Sequence, residues 1–394
     1  MSTINSHSIY KLESGYIMPT YSRSKIVLEK GNGVWVFDRD KNKYLDFIGG
    51  IATCPIGHSN PVLVKAVERQ VGKIINTTNL FYTEPQVLLA EKLSQLSGIK
   101  SKVFFSNSGA ESVEAAIKLA RKFTGKTDII ATEHSFHGRT FGALSATWKP
   151  KIREPFKPLV PGFKHIKYNN SNALKGEITS KTAAFIVEPI QGEGGITVSS
   201  NGYLKEVSDI CTKRDILLIV DEIQTGLGRT GKFFAYQNEG IKPDIITLAK
   251  GLAGGIPIGV TIAKSKVADA FAKGDHGSTF GGNSLSTSAA NAVVDYILKN
   301  KLMNNAVIVG GYFTDKLKRL AHKYSFIRQV RGKGLMVGME LFIDGKDIVE
   351  KCMGKGLLIN CCTEKVLRFL PPLTVTKKEV DICVGILDNV FSTI

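Results

Sequence analysis

The sequence predicts an α/β protein: a large domain with a mostly parallel mixed sheet between helices, plus a smaller α+β domain. Three observations predict it. A chain of 394 residues suits two or more lobes. Through its middle, short and wholly apolar runs alternate with helical periodicities, as in βαβ units whose strands are buried on both faces. The tail then changes character, with two long helical patterns followed by alternating strands.

The elements run in this order. Val34 to Phe37 and Tyr44 to Phe47, split by Asp38-Arg39-Asp40-Lys41-Asn42, read as a hairpin. Val103-Phe104-Phe105 is a strand, and Glu111 to Phe123 a helix with Ala115, Ala116, Leu119 and Ala120 on one face. Further buried strands fall at Ile129-Ile130, Ala183 to Val187, Leu217 to Val220 and Ile245 to Leu248, with a helix over Tyr203 to Lys213. Past Gly281-Gly282-Asn283, helices are expected over about Ser286 to Leu302 and Ala306 to Tyr324. Strands come next at Gly334 to Leu341, Gly356 to Asn360 and Val366 to Leu370, and a last helix at about Lys377 to Phe391. The domain expectation is an N-terminal segment over 1–50 packing with the small domain, a large domain over 51–282 and a small domain over 283–394.

Composition excludes several classes. With 43% hydrophobic and 22% charged residues, the chain is neither disordered nor a disulfide scaffold. Its net charge is +17, from 40 Lys and 12 Arg against 35 acids. The lysines are spread along the chain, so they read as a solvated coat and not as a nucleic-acid or membrane arm. None of the six cysteines forms a C-x-x-C pair, which supports no metal site and suits free thiols in a reducing compartment. Met1 to Tyr16 lacks a long apolar core, and no stretch approaches a spanning helix, so the expected address is cytoplasmic.

The chemistry is carried by residues at strand ends. Asp221 closes the run Leu217 to Val220, and Lys250 comes after Ile245 to Ala249. Open parallel sheets bind ligands beyond those carboxyl ends. A carboxylate and a lysine there match pyridoxal phosphate (PLP), which needs an amine for its aldehyde and an acid for its ring nitrogen; from this pair alone a structural ion pair at a strand end is the stronger reading. Ser106-Asn107-Ser108-Gly109-Ala110-Glu111 opens a helix with small residues, a phosphate cradle or a plain N-cap turn. His134 to Thr140 offers Phe136 for stacking and Arg139 for a carboxylate. His276 to Asn283 is a Gly-rich loop with hydroxyls, or merely the hinge into the second lobe.

Taken together, these residues resemble the class III (ornithine-type) aminotransferases of PLP fold type I, over roughly Val34 to Asn389. The resemblance rests on Asn107 to Glu111, Phe136 to Thr140, Glu188 to Gly195, Asp221 to Gly226, Gly228 to Gly231, Leu248 to Gly251, Ser278 to Asn283 and Arg368 to Leu373, in this order. It implies that Lys250 bonds the cofactor aldehyde and later shuttles a proton. It implies that Asp221 pairs with the ring nitrogen, Glu188 tunes that site, Gln224 meets the ring hydroxyl and Phe136 stacks on the ring. Ser108, Gly109 and Ala110 would hold the phosphate, with Thr279 reaching across a homodimer to the neighbouring subunit's cofactor. Among substrate contacts, the resemblance implies Arg368 for the α-carboxylate of glutamate and 2-oxoglutarate. Glu193 would cap that arginine in turn, Arg139 would take the distal carboxylate, and Ser278 would lie nearby.

The resemblance further implies transfer of the δ-amino group of N2-acetyl-L-ornithine to 2-oxoglutarate, a step of arginine biosynthesis. It leaves 4-aminobutyrate, ornithine, succinylornithine and succinyl-diaminopimelate as alternative donors, and a non-catalytic binding protein on the same fold as the other class. Phe81 to Gln86, Leu144 to Thr147 and Arg331 to Met336 support the first reading. One segment departs from the family pattern: Thr53-Cys54-Pro55-Ile56-Gly57-His58 lacks the Val-Asn pair usual before Gly-His.

Overall fold

The computed structural model describes residues 4–394. Its centre is a seven-stranded sheet in the order Ser101–Ser106, Gly259–Lys264, Ile245–Leu248, Leu217–Asp221, Thr182–Val187, Asp128–Thr132 and Phe163–Ile166. All five of the short apolar runs read as strands in the middle of the sequence lie in it. Two strands fall outside those runs. Phe163–Ile166 is an edge strand whose apolar run is broken by Lys164 and His165, and Gly259–Lys264 begins on glycine and carries a buried threonine, Thr261.

Gly259–Lys264 runs antiparallel to both of its neighbours, and the remaining pairings are parallel. Ser101–Ser106 therefore points the same way as Leu217–Asp221 and Ile245–Leu248. The start of the next helix, Gly109–Thr124, thus opens on the same edge as Asp221 and Lys250. That helix buries Val113, Ala116, Ile117 and Ala120 against the sheet. Removing such small and branched side chains from water contributes roughly 25 cal/mol per Å² of apolar surface.

The remaining sheets are small. The expected hairpin forms as Trp35–Asp38 and Lys43–Asp46, with Leu28–Asn32 outside it. Its turn is closed by the Asp38 carboxylate, which accepts from Asn42 N (2.8 Å) and Tyr44 Oη (2.8 Å). The stretch expected as one strand over 356–360 divides. Leu357–Leu358 adds in parallel to Lys43–Asp46, whereas Asn360–Thr363 joins an antiparallel sheet with Val366–Phe369, Met336–Leu341 and Ile327–Lys333. Ile327–Lys333 is an edge strand with mostly polar, partly exposed residues, which hides it from apolar patterning. The last helix, Lys377–Phe391, starts at a capping box between Thr376 and Glu379. Among the described residues, no helix is long and apolar enough to cross a membrane.

The long helices Ser284–Lys299 and Leu302–Lys323 bind the two ends of the chain together. Phe313 packs edge-on against Phe47 (5.5 Å) and Phe369 (5.3 Å). Arg229, 2% exposed, donates to the carbonyls of Leu335 (3.0 Å) and Pro371 (2.6 Å). Glycine makes these approaches possible: a Cβ on Gly334 would lie 2.3 Å from Arg229 O, and one on Gly310 would lie 2.1 Å from Gly334 O.

Two adjacent helical glycines therefore respond oppositely to the same change. Glycine inside a helix costs about 0.5–1 kcal/mol relative to alanine. Gly311→Ala meets no atom within 4 Å and is expected to raise the thermal midpoint. Gly310→Ala is expected to lower it, because its Cβ meets backbone that has no room to yield. Differential scanning calorimetry of the pair checks this.

Candidate active site

At the carboxyl edge of the sheet lies a cavity of about 490 Å³. One wall is the start of helix Gly109–Thr124. Ser108 caps it, its Oγ accepting from Glu111 N (3.2 Å). First-turn N–H groups have no partner inside a helix, so those of Gly109 and Ala110, which line the cavity, are available to an anion. This wall is crowded from behind. A Cβ on Gly259 would lie 2.1 Å from Ser108 O, and one on Gly109 would lie 2.9 Å from Ile223 Cδ1.

The floor is built from charge. Asp221, 4% exposed, ends its strand; its Oδ1 accepts from Ile223 N (3.0 Å) and its Oδ2 lies 2.7 Å from His137 Nδ1. Burial opposes a charge on His137, yet the hydrogen bond to Asp221 wins and raises its pKa above the ordinary value. Beside them Glu188 accepts from Phe136 N (3.1 Å) and Gly192 N (3.3 Å). Burial pushes Glu188 up to about 7, and the neighbouring Asp221 adds to this against the pull of His137. The same carboxylate thus fixes the loop that presents Phe136 and the turn that leads to Glu193.

Lys250 lines the same cavity, half-buried, two residues beyond its strand. Its φ of +40° is unusual for a residue with a side chain and costs on the order of 1–3 kcal/mol. Desolvation lowers its pKa, with the Arg368 charge adding to that and Glu193 opposing it. The next residue, Gly251, is pressed against a left-handed turn over Gly49, Gly50, Ile51 and Ala52, with φ of 55°, 63°, 60° and 66°. A Cβ on Gly251 would lie 2.9 Å from Ala52 O. Asp46 holds that turn by accepting from Ile48 N (2.8 Å) and Gly49 N (2.9 Å).

Arg368 lies behind the cavity, 1% exposed. Its Nη1 donates to Glu193 (2.5 Å), Gly192 O (3.3 Å) and Gln224 Oε1 (3.5 Å), and its Nε to Asn360 (3.3 Å). Burial alone would raise Glu193, but Arg368 holds its carboxyl below the usual range. A Cβ on Gly192 would lie 2.3 Å from Gln224 Oε1, so glycine is what lets these groups meet.

The cavity thus gathers Ser108, Gly109 and Ala110 on one wall, Phe136 and Arg139 at the loop, and Glu188, Asp221, Gln224 and Lys250 around the floor. Glu193 and Arg368 stand one residue away through Gln224. Ser278 is tied to the wall that carries Ser108 by Asn107 Nδ2 (3.0 Å). Thr279 is exposed and does not line the cavity; its carbonyl accepts from Asn76 (3.4 Å). Thr53, the first residue of the segment that departs from the family pattern, also lines the cavity, as do Tyr21 and Ile223, which had not been singled out in the sequence. His137 had not been read as a partner for Asp221 either, although it stands beside Phe136. The donor set fits a flat aromatic aldehyde with a phosphate: an amine of lowered pKa, a buried carboxylate opposite it and open helix-start amides. Among the described residues no cluster suits a metal ion.

The chain matches the family model "Aminotransferase class-III" over residues 16–391. It is 49% identical over 389 residues to the acetylornithine aminotransferase of Methanocaldococcus jannaschii, covering 97% of this chain and 98% of that protein. The Aquifex aeolicus protein of the same name is 47% identical over 380 residues, covering 95% and 99%. Among solved structures, an ornithine aminotransferase from Toxoplasma gondii superposes with a TM-score of 0.96 at 33% identity, covering 100% of this chain and 96% of that one. An acetylornithine aminotransferase from Elizabethkingia anophelis gives 0.89 at 34%, covering both chains fully. A second Toxoplasma gondii ornithine aminotransferase structure, with a TM-score of 0.95 at 33% identity over 99% of this chain and 94% of that one, has PLP partially occupying its active site.

The buried His137–Asp221 pair makes stability depend on pH with a definite sign. Because His137 is raised above 6.5 in the fold, its contribution is complete below that value and is lost as pH rises through the folded value. In cofactor-free protein, the thermal midpoint of wild type is expected to fall on the alkaline side relative to its own neutral value. His137→Asn is expected to flatten that slope, as a pH series of thermal melts will show.

Proposed function

The chain belongs to the class III aminotransferases, and from that premise we propose that it moves the δ-amino group of N2-acetyl-L-ornithine to 2-oxoglutarate, with PLP as cofactor. The observation that carries the reading is the placement of Lys250 and Asp221 around one cavity, with the Arg368–Glu193 pair beside it. Full-length relatives named acetylornithine aminotransferase support the donor. Ornithine is the second reading, favoured by the Toxoplasma gondii match, at lower sequence identity.

PLP supplies an electron sink for the bond broken at the amine-bearing carbon. The chain's residues do the rest. The lowered pKa of Lys250 leaves a larger share of its amine unprotonated, ready to bond the cofactor aldehyde and to carry a proton between carbons. Asp221, held by His137, would face the ring nitrogen, while Phe136 would cover the ring face and Gln224 would meet the ring hydroxyl. Ser108, Gly109 and Ala110 would hold the phosphate. Arg368 takes the α-carboxylate of glutamate or 2-oxoglutarate once Glu193 turns away. With the acylated donor, Glu193 stays paired, which spares a buried guanidinium the cost of standing alone. Arg139, exposed at the cavity mouth, takes the distal carboxylate, and Ser278 supports the Asn107 corner.

The same reading includes a homodimer with shared sites. Leu80, Phe81, Tyr82 and Phe280 are large apolar side chains exposed together, on segments joined by Asn79 Nδ2 donating to Ser278 O (3.1 Å) and Gly281 O (2.9 Å). Such a patch suits a second copy, and it carries Thr279 toward the partner's phosphate site.

A donor panel of acetylornithine, ornithine, 4-aminobutyrate and succinylated analogues against 2-oxoglutarate tests the assignment; acetylornithine is expected to show the highest kcat/KM. Lys250→Ala is expected to abolish turnover and the yellow colour of the holoenzyme. Arg368→Ala is expected to lower kcat/KM for 2-oxoglutarate by about 100-fold, the loss of a charge-assisted pair, with PLP content unchanged; equal loss of both removes Arg368 from the substrate role. For the shared site, Thr279→Val is expected to weaken PLP retention, measured by dialysis, while sedimentation still reports a dimer.

A further inference from the structure

Beside the active-site cavity lies a second one of about 440 Å³, and Phe136 lines both. Glu193 lines the second and not the first. The two members of the Arg368–Glu193 pair are therefore unequally placed: the arginine side chain is 1% exposed and the glutamate side chain 34%. Among the described residues, the other charged groups around the second cavity are Lys149, Lys365 and Glu364, all exposed, and His134 adds a ring nitrogen. We propose that this cavity is the seat Glu193 occupies while glutamate or 2-oxoglutarate holds Arg368, and that Lys149 and Lys365 are positioning residues that receive its carboxylate there. The proposal rests on the reading that Glu193 caps Arg368 in turn.

Three features support this. The backbone around Glu193 is pinned, which leaves the side chain as the part that can move. Gly192 N donates to Glu188 (3.3 Å), and Gly192 O accepts from Arg368 (3.3 Å). Gly195 O accepts from Arg331 Nε (3.0 Å) and Nη2 (2.6 Å), and a Cβ on Gly194 would lie 2.6 Å from His134 O. Secondly, the inward direction is taken. Arg368 and Gln224 fill it, the latter so closely that a Cβ on Gly192 would lie 2.3 Å from its Oε1. The open side of the Glu193 carboxylate is the second cavity. Lastly, two lysines against Glu364 leave that rim with one positive charge unmatched, and the carboxylate of Glu193 matches it.

The consequence is selective. A carboxylate that leaves a buried guanidinium gives up a charge-assisted hydrogen bond. A receiving cation offsets part of that loss and shifts the balance toward the vacated Arg368. A ligand that needs Arg368 binds more tightly for it. The acylated donor, which leaves Glu193 paired, gains nothing from the two lysines.

The test uses the holoenzyme and glutarate, a dicarboxylate of the length of 2-oxoglutarate with no keto group to react. A crystal structure of the complex is expected to show the Glu193 carboxylate in the second cavity, facing Lys149 or Lys365. By calorimetry, Lys149→Met combined with Lys365→Met is expected to weaken glutarate binding at least about 3-fold, the scale of partly exposed charge pairs, and arginine at both positions to restore it. In a Glu193→Gln background the same double change is expected to shift the glutarate Kd by less than about 1.5-fold, because the charge it serves is gone. The double variant is expected to lose at least about 3-fold in kcat/KM for 2-oxoglutarate and less than about 1.5-fold for acetylornithine. Glu193 still on Arg368, or turned elsewhere, in the glutarate complex overturns the proposal. So does an equal loss of glutarate binding in the wild-type and Glu193→Gln backgrounds, or an equal loss of kcat/KM for both substrates. If Arg368→Ala leaves glutarate binding intact, the substrate role of Arg368 falls and this proposal with it. A different preferred donor leaves the glutarate results standing.

Discussion

The hydrogen bond between His137 Nδ1 and Asp221 Oδ2 is buried at both ends, and the other charges of the site are arranged around it. An isolated carboxylate at a strand end would be expensive to bury. Paired with an imidazole it persists, while burial pushes the neighbouring Glu188 up to about 7 against the pull of His137. Glu188 in turn fixes Phe136 and Gly192 through their N–H groups, so the face of the cavity and the approach to Glu193 inherit their positions from one buried pair. Lys250 needs no partner of its own. The same enclosure that would penalise its charge lowers its pKa, which is the state a nucleophilic amine requires.

The second constraint is closeness. Gly192, Gly251, Gly259 and Gly334 each stand where a Cβ would lie within 3.0 Å of a neighbour. They let a carboxylate–guanidinium pair, a strand, a strained turn and the Arg229 segment pack without a side chain in the way. The glycines of the motifs are thus a packing device as much as a chemical one. Arg229 belongs to the same design: it ends in the carbonyls of Leu335 and Pro371 and ties the C-terminal segments to the large sheet's loops instead of lining the cavity.

Much of this was legible in the sequence because buried parallel strands are written as pure apolar runs. Ala183 to Val187 and Leu217 to Val220 have no polar alternation to confuse them, and the residue just past such a run lands at the cavity edge. Asp221 and Lys250 stand out together for that reason. Gly259–Lys264 escapes this kind of reading because its interior threonine and leading glycine resemble a loop, yet this antiparallel strand sets the direction of Ser101–Ser106 and brings Ser108 to the site. His137 as a partner for Asp221, 84 residues away, could not be read from local pattern at all. The division of 356–363 between two sheets was also hidden, since local apolarity does not tell a strand which partner it will have.

The antiparallel strand has a consequence in time. Gly259 pairs with Ser106 across about 150 residues of chain. A growing polypeptide therefore makes the helix start at Ser108 long before it makes the strand that backs it, and before Lys250. Long-range pairing of this kind slows folding, and nascent lobes fold as they emerge. The N-terminal half must wait with an unfilled gap in its sheet between Ser101–Ser106 and its parallel neighbours. Cofactor capture is thus among the last events of biogenesis, and a chain cut short before residue 259 has no complete place to put it.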